Sequence, residues 1–244
     1  MPKTFLIDTS RCTACRGCQI ACKEWKGFPA VHTKQTGTHQ NPPDLGPYNY
    51  KLVRFQEYKM KTRVEWLFFP EQCRHCLEPG CKAGADAILE GAIIRDPTTG
   101  AIIFTELTKK LTEQQAKDVQ AMCPYNIPRW DKKEGKLTKC DMCIDRLQAG
   151  MVPACVKTCC TGCMNFGERD AMLKLAQERL ATVKKNHPKA MLLDPEDVSV
   201  IYLVTEDRKL YYEFAEARTP APMPGMTRQE LLAKAAAPLG RLLG

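Results

Sequence analysis

The chain has 244 residues, 44% of them hydrophobic and 26% charged, which is long enough to bury a core and ordinary in composition for a water-soluble protein. No run of about 18 apolar residues occurs, which excludes a transmembrane helix, and residues 1–8 lack the basic segment and apolar stretch of a secretory signal. The formal net charge of +8 invites comparison with nucleic-acid binders, but no basic strip interleaved with aromatic residues is present.

In chain order, residues 4–8 read as a short strand, and Ile20, Ala21 and Trp25 continue a short helix after a run of cysteines. Residues 26–48 are rich in Gly, Pro, Asn and His, include Asn41-Pro42-Pro43-Asp44, and predict a long irregular loop. Residues 50–58 and 64–69 form a strand pair with 59–63 as its turn. The apolar runs 92–95 and 101–104 flank Asp96-Pro97-Thr98-Thr99-Gly100, a hairpin signal. Residues 112–122 read as a helix that ends at Cys123-Pro124. In 168–186, Met172, Ala176, Leu180 and Val183 recur at helical spacing, and 198–204 reads as a strand. A Pro-rich linker at 219–225 leads to a capping box, Thr227 and Glu230, that opens a last helix through Leu231 and Leu232.

The 14 cysteines carry the chemistry. Cys12, Cys15, Cys18 and Cys22 stand at C-x2-C-x2-C-x3-C, the run with which bacterial ferredoxins hold cubane iron–sulfur clusters, the fourth cysteine reaching a second cluster. Cys140, Cys143, Cys155 and Cys159 form another run of three plus one. Cys73, Cys76 and Cys81 follow C-x2-C-x4-C, and Cys123 precedes a proline that turns the chain away, as at the end of a ferredoxin run. Sulfurs on tight loops face a common centre, which suits a metal better than a disulfide. Zinc ribbons also use C-x2-C pairs, but they close with two pairs rather than three plus a distant fourth.

If fourth cysteines are exchanged, twelve residues sort into three sets. These are Cys12, Cys15 and Cys18 with Cys159; Cys140, Cys143 and Cys155 with Cys22; and Cys73, Cys76 and Cys81 with Cys123. Each set predicts one [4Fe–4S] cluster, three in all. A thiolate-bound cubane is anionic, so Arg11, Arg16, Lys23, Arg74, Lys139 and Lys157, within or beside the runs, account for much of the basic excess. The expected fold is α+β: two ferredoxin-like cluster-binding halves of short strands and helices, with a C-terminal helical extension.

These runs resemble the four-cluster iron–sulfur subunits of molybdenum and tungsten enzymes of the dimethyl sulfoxide reductase type, over residues 4–167. Two departures stand out. Ala85 occupies the place of the second run's fourth cysteine, and the helical region 105–120 has none of the third run's first three. Under the exchange rule all four missing ligands belong to one cluster, so one cluster is removed whole. The three-cluster form, with its Gly37-Thr38-His39-Gln40-Asn41-Pro42-Pro43-Asp44 loop and Phe68-Phe69-Pro70-Glu71-Gln72-Cys73-Arg74-His75-Cys76, resembles the small subunit of soluble formate dehydrogenases of anaerobic bacteria. The resemblance implies residues 1–48 with 138–167 as a half holding two clusters, 49–137 as a half holding one, and 168–244 as a helix, strand and extension.

It further implies a non-catalytic electron-transfer chain serving a large subunit that holds a tungsten or molybdenum bis-pterin cofactor and carries its own signal peptide. The Cys12 cluster would face that subunit and the Cys73 cluster the exit. A c-type multihaem cytochrome would accept the electrons. The complex would be periplasmic, exported folded with its partner, or else cytoplasmic. No nucleic-acid partner and no membrane span are expected.

Several residues have plainer readings. Cys160 and Cys163 read as small buried thiols, with Cys160 a competitor of Cys159 for ligation and the pair a possible zinc or redox motif. His75 reads as a surface hydrogen-bonding residue beside its cysteines, and Trp25 and Trp66 as packing residues. His32, His39 and His187 show no metal spacing. No catalytic triad, phosphate loop or carboxylate pair is present.

Overall fold

The computed structural model describes residues 2–59 and 64–217. Residues 60–63 of the expected turn, the 219–225 linker and the helix opened by Thr227 and Glu230, with Leu231 and Leu232, lie outside the described residues.

The elements run β1 (Lys3–Asp8), α1 (Gly17–Trp25), β2 (Leu52–Lys59), β3 (Val64–Glu71) and α2 (Gly80–Asp86). Then come β4 (Ile93–Arg95), β5 (Ile102–Phe104), α3 (Glu113–Ala121), β6 (Arg129–Asp131) and β7 (Lys136–Thr138). The last are α4 (Ile144–Gln148), α5 (Ala154–Lys157), β8 (Met164–Glu168), α6 (Arg169–Val183), β9 (Met191–Leu193) and β10 (Val200–Val204). The fold is α+β, as expected.

One four-stranded sheet, in the order β8-β1-β10-β9, forms the centre. Strand β10, Val-Ile-Tyr-Leu-Val, is buried along its whole length, the continuous apolar run of a strand covered on both faces. It lies parallel to β1, with Phe5 opposite Val200 and Ile7 opposite Tyr202. Strand β8 flanks β1 antiparallel. The segment read as an extension therefore supplies two of the four central strands.

Helix α6 lies against this sheet. Its Ala176 and Val183 are buried with Leu6, Ile201 and Leu203, and Arg179 Nε reaches the buried Asp8 carboxylate at 2.8 Å. The remaining sheets are hairpins: β2–β3, β4–β5 and β6–β7. The β4–β5 turn closes as its sequence predicts, with the Thr99 amide donating to Asp96 Oδ2 and Gly100 at φ +76°. Helix α3 begins at a full capping box between Thr112 and Gln115.

The loop 26–48 is irregular and carries a cis Asn41–Pro42 bond. It is tied to the elements around it by polar contacts. Gln19 Nε2 donates to the Asn41 carbonyl at 2.8 Å, and Arg16 Nη1 to that of His39 at 3.0 Å. Asp44 pairs with Arg54 on β2 and with Arg129 on β6. Among the described residues no helix is long and apolar enough to cross a membrane.

Candidate iron–sulfur centres

Cys73, Cys76, Cys81 and Cys123 line one cavity, together with Arg74, Ile102, Tyr125, Ile127 and Lys139. Cys73 and Cys76 sit on the loop after β3, Cys81 in the first turn of α2, and Cys123 just beyond α3. Gly80 makes that convergence possible. A Cβ there would stand 2.6 Å from the Met122 carbonyl oxygen, so only glycine lets α2 approach the chain that carries Cys123. Backbone N–H groups turn toward the sulfurs, that of His75 to Cys73 Sγ at 3.4 Å and that of Ile127 to Cys123 Sγ at 3.5 Å.

The other two runs interleave. Cys159 acts electrostatically on Cys12 and Cys18. Cys22 meets Cys155 and Cys143, and Cys140 meets Cys22 and Cys143. Cysteines of the first and last runs therefore lie near one another, and the interactions run across the allotted sets as well as within them. Cys15 stands exposed, beside Cys160. The groups also neighbour one another: Cys18 feels Cys155, and Cys140 feels Cys73.

These loops share a backbone device. Of the seven non-glycine residues at positive φ among the described residues, Ala14, Arg16, His75, Asn126, Met142 and Cys143 all lie within three residues of a cysteine of these runs. Left-handed residues are sparse elsewhere because their Cβ is crowded. Alternated with right-handed ones they wind the chain so that successive N–H groups face one point, an anion-binding nest of the kind found at iron–sulfur sites.

Burial pushes most of these thiols up: Cys18 and Cys81 to about 12, and Cys123 and Cys143 to about 11. Cys22, Cys76, Cys140 and Cys155 are raised for the same first reason. A thiolate in such a place needs a positive partner, and iron supplies one, releasing the proton as it binds. The donor set of the four-cysteine cavity, thiols with no histidine or carboxylate among its lining residues, suits a thiolate-bound cubane, in which each cysteine takes a different iron.

The structure corrects four expectations. His75 is fully buried rather than at the surface, and its Nδ1 accepts the Ile102 amide at 3.0 Å. Trp25 and Trp66 are exposed, at 41% and 58%, instead of packed inside. Trp25 instead donates to Asp145 and lies under the Arg146 guanidinium. Cys160 is exposed, whereas Cys163 is buried as expected. The nearby Cys163 side chain lowers the Cys12 and Cys159 thiols, Cys159 to about 5.

Of the basic residues named from sequence, Arg74 and Lys139 are buried at the third cavity. Arg74 lies over the Tyr202 ring at 4.2 Å and donates to the Gln72 and Ala215 carbonyls. Lys139 donates to the Ile102 and Cys140 carbonyls. Three buried cations, Lys51, Arg54 and Arg146, escaped the sequence reading; Lys51 and Arg54 lie far along the chain from every cysteine run, on a segment that reads as an ordinary strand.

Fold and cysteine geometry together define an iron–sulfur electron-transfer protein of the ferredoxin type. Residues 64–169 match the 4Fe-4S dicluster domain family. The chain is 61% identical over 216 residues to formate dehydrogenase 2 subunit beta (cytochrome c-553) of Nitratidesulfovibrio vulgaris, covering 88% of this chain and 99% of that one. It is 52% identical over 217 residues to formate dehydrogenase subunit beta of Megalodesulfovibrio gigas, covering 89% and 100%. Against the nitrate-inducible formate dehydrogenase iron–sulfur subunit of Escherichia coli the identity is 34% over 219 residues, covering 85% and 70%. The chain belongs to the formate dehydrogenase beta, or iron–sulfur, subunits and carries [4Fe–4S] clusters for electron transfer.

Proposed function

We infer that this chain holds three [4Fe–4S] clusters and relays electrons from formate, oxidised on a separate large subunit, to an external acceptor. The observation that carries this reading is the cavity lined by Cys73, Cys76, Cys81 and Cys123, and the three-plus-one spacing of the other two runs supports two further sites. The count of three draws support from the place of the missing ligands. Ala85 packs with Cys81, Leu111, Ala116 and Val119 against Ala92, Ile93 and Ile102 in one apolar cluster, so aliphatic side chains surround the position where the second run lacks its fourth cysteine.

When bound, a [4Fe–4S] cluster stores and releases single electrons over a wide span of potentials. The protein's residues do the rest. Twelve cysteines hold the sites, amide N–H groups and buried cations set their polarity, and the apolar clusters exclude water. The neighbouring of Cys18 with Cys155, and of Cys140 with Cys73, orders the sites Cys12, Cys140, Cys73. The Cys12 end faces the large subunit, a tungsten or molybdenum bis-pterin protein with its own signal peptide. The Cys73 end faces a c-type, multihaem cytochrome. A relative's name, which includes cytochrome c-553, supports a haem acceptor. The complex is periplasmic, exported folded with its partner.

Purification of the native complex without oxygen tests this reading. The expected material is brown, holds about twelve iron atoms in this subunit, four for each of three cubanes, and reduces a c-type cytochrome with formate. Colourless, zinc-loaded protein would overturn it. Recovery of the complex in the cytoplasmic fraction would overturn the location alone.

A further inference from the structure

Strand β1 ends at Asp8, four residues ahead of Cys12. Asp8 is only 1% exposed, and a carboxylate so placed is costly unless its oxygens are paired. Both are. Oδ1 accepts the amide of Ser10 at 3.1 Å and also its hydroxyl, which caps a short 3-10 turn, Thr9–Arg11. Oδ2 accepts Nε–H of Arg179, on α6, at 2.8 Å. The capped turn runs straight into the cysteine. The Cys12 amide closes it by donating to the Thr9 carbonyl at 3.0 Å, and the Thr9 hydroxyl ties it to β10 through the Leu203 carbonyl at 2.9 Å.

The backbone of Asp8 reaches the segment that carries Cys159. Its amide donates to the Cys163 carbonyl at 2.8 Å, where β1 meets β8 with Ile7 opposite Met164. The next amide along, that of Met164, donates to Cys159 Sγ at 3.4 Å. One residue thus holds the turn that presents Cys12 with its side chain and the strand that contacts Cys159 with its main chain. These cysteines stand at opposite ends of the cysteine pattern. The cation that completes Asp8 comes from a third segment, the helix packed on β1 through Ala176 and Val183.

Resting on the assignment of Cys159 to the Cys12 site, we propose that Asp8 and Arg179 form a latch that holds this site closed. Asp8 positions both cysteines, and Arg179 fixes Asp8 only while α6 is docked. Neither is a ligand. With the latch made, the Cys12 turn and the Cys159 strand keep one spacing, and a cluster bound there keeps its full set of thiolates. With Arg179 removed, the buried carboxylate is left with Ser10 alone and turns toward water, carrying the Cys12 turn with it. The four-cysteine cavity shares none of these contacts, so the effect stays at one site.

The test follows release of iron to a chelator from the purified complex, without oxygen, with EPR to tell the clusters apart. In Arg179→Met about one third of the iron, one cubane of three, is expected to leave about tenfold faster, the effect of one lost charge-assisted hydrogen bond. The signal that fades with it is the one that Cys159→Ala lacks, while the other two keep their potentials. Arg179→Lys restores slow release. Val183→Ala, which loosens the same helix one turn further on, leaves release unchanged.

Ser10→Ala removes the other arm of the latch and should hasten release of the same third by a smaller factor. It decides the matter should Arg179→Met fail to fold. Release that is unchanged, that quickens for all the iron together, or that quickens equally in Val183→Ala overturns the proposal. Wild-type complex without three signals would instead fail the cluster count, and Cys159→Ala with all three signals would fail the assignment of Cys159. Correct signals in both, with slow release from Arg179→Met, fail only the latch.

Discussion

The regions around the two groups of cysteines pack differently. Around β1, α1 and α5, Cys12, Cys18, Cys155 and Cys159 lie among Phe5, Ile7, Met142 and Val200. Around α2, α3 and the β4–β5 hairpin, four cysteines line a cavity, and Ala85, Ile93, Leu111 and Val119 close with Cys81 into an apolar cluster. Aliphatic side chains thus fill the place that Ala85 takes in the second run. A half-removed set would leave buried thiols with no metal and an unfilled hole, both destabilising.

Three experiments sharpen that contrast. The largest effect is expected from Cys123→Ala, which removes one wall of the four-cysteine cavity. Iron should fall from about twelve to about eight atoms per subunit, one cubane of four. Formate should still reduce the remaining clusters, with transfer to the cytochrome abolished. Full loss of iron would show that the halves do not hold their clusters independently, and undiminished cytochrome reduction would remove the Cys73 site from the exit.

Ile93→Ala probes the aliphatic filling instead. Ile93 is fully buried, and its truncation should lower stability by about 2–5 kcal/mol, the usual range for a buried isoleucine. Iron content should not change, as measured by metal analysis beside an anaerobic unfolding curve. Iron loss in step with stability would mean that the apolar cluster and the cage are one unit.

The smallest effect concerns the clip between the halves. Burial alone would raise the Asp44 carboxyl, but Arg129 and Arg54 outweigh it and hold it below the ordinary aspartate value. Its stabilising contribution is therefore complete above the ordinary carboxylate range and is lost as pH falls through the lowered value. In Asp44→Asn this acid-sensitive part should vanish, so that wild type and variant converge in acid and separate toward neutrality. Parallel pH–stability curves would rule the clip out.

Much of this site was legible because iron–sulfur ligation is a local pattern. C-x2-C runs, Cys123-Pro124 and the Asp96–Gly100 turn each declare themselves within a few residues. The three-residue strands β6, β7 and β9 did not, since three residues cannot display an alternation. Short helices α4 and α5, wound between ligands, were equally silent. Burial of charged or polar groups was the other blind spot. Nothing around Lys51 or His75 distinguishes a buried cation or imidazole from an exposed one, because the strands that cover them come from distant parts of the chain. The exposure of Trp66 on β3 fails for the mirrored reason, as a large aromatic reads as core until its sheet face is known.

The parallel pairing of β1 with β10 also sets a schedule for biosynthesis. The first strand to leave the ribosome finds its central neighbour only after Val204 has been translated, and Cys12 waits likewise for Cys159. The four-cysteine cavity, by contrast, draws on nothing beyond Lys139. The central sheet is accordingly the last part of the molecule to close, because its first strand lacks a parallel neighbour until most of the polypeptide exists.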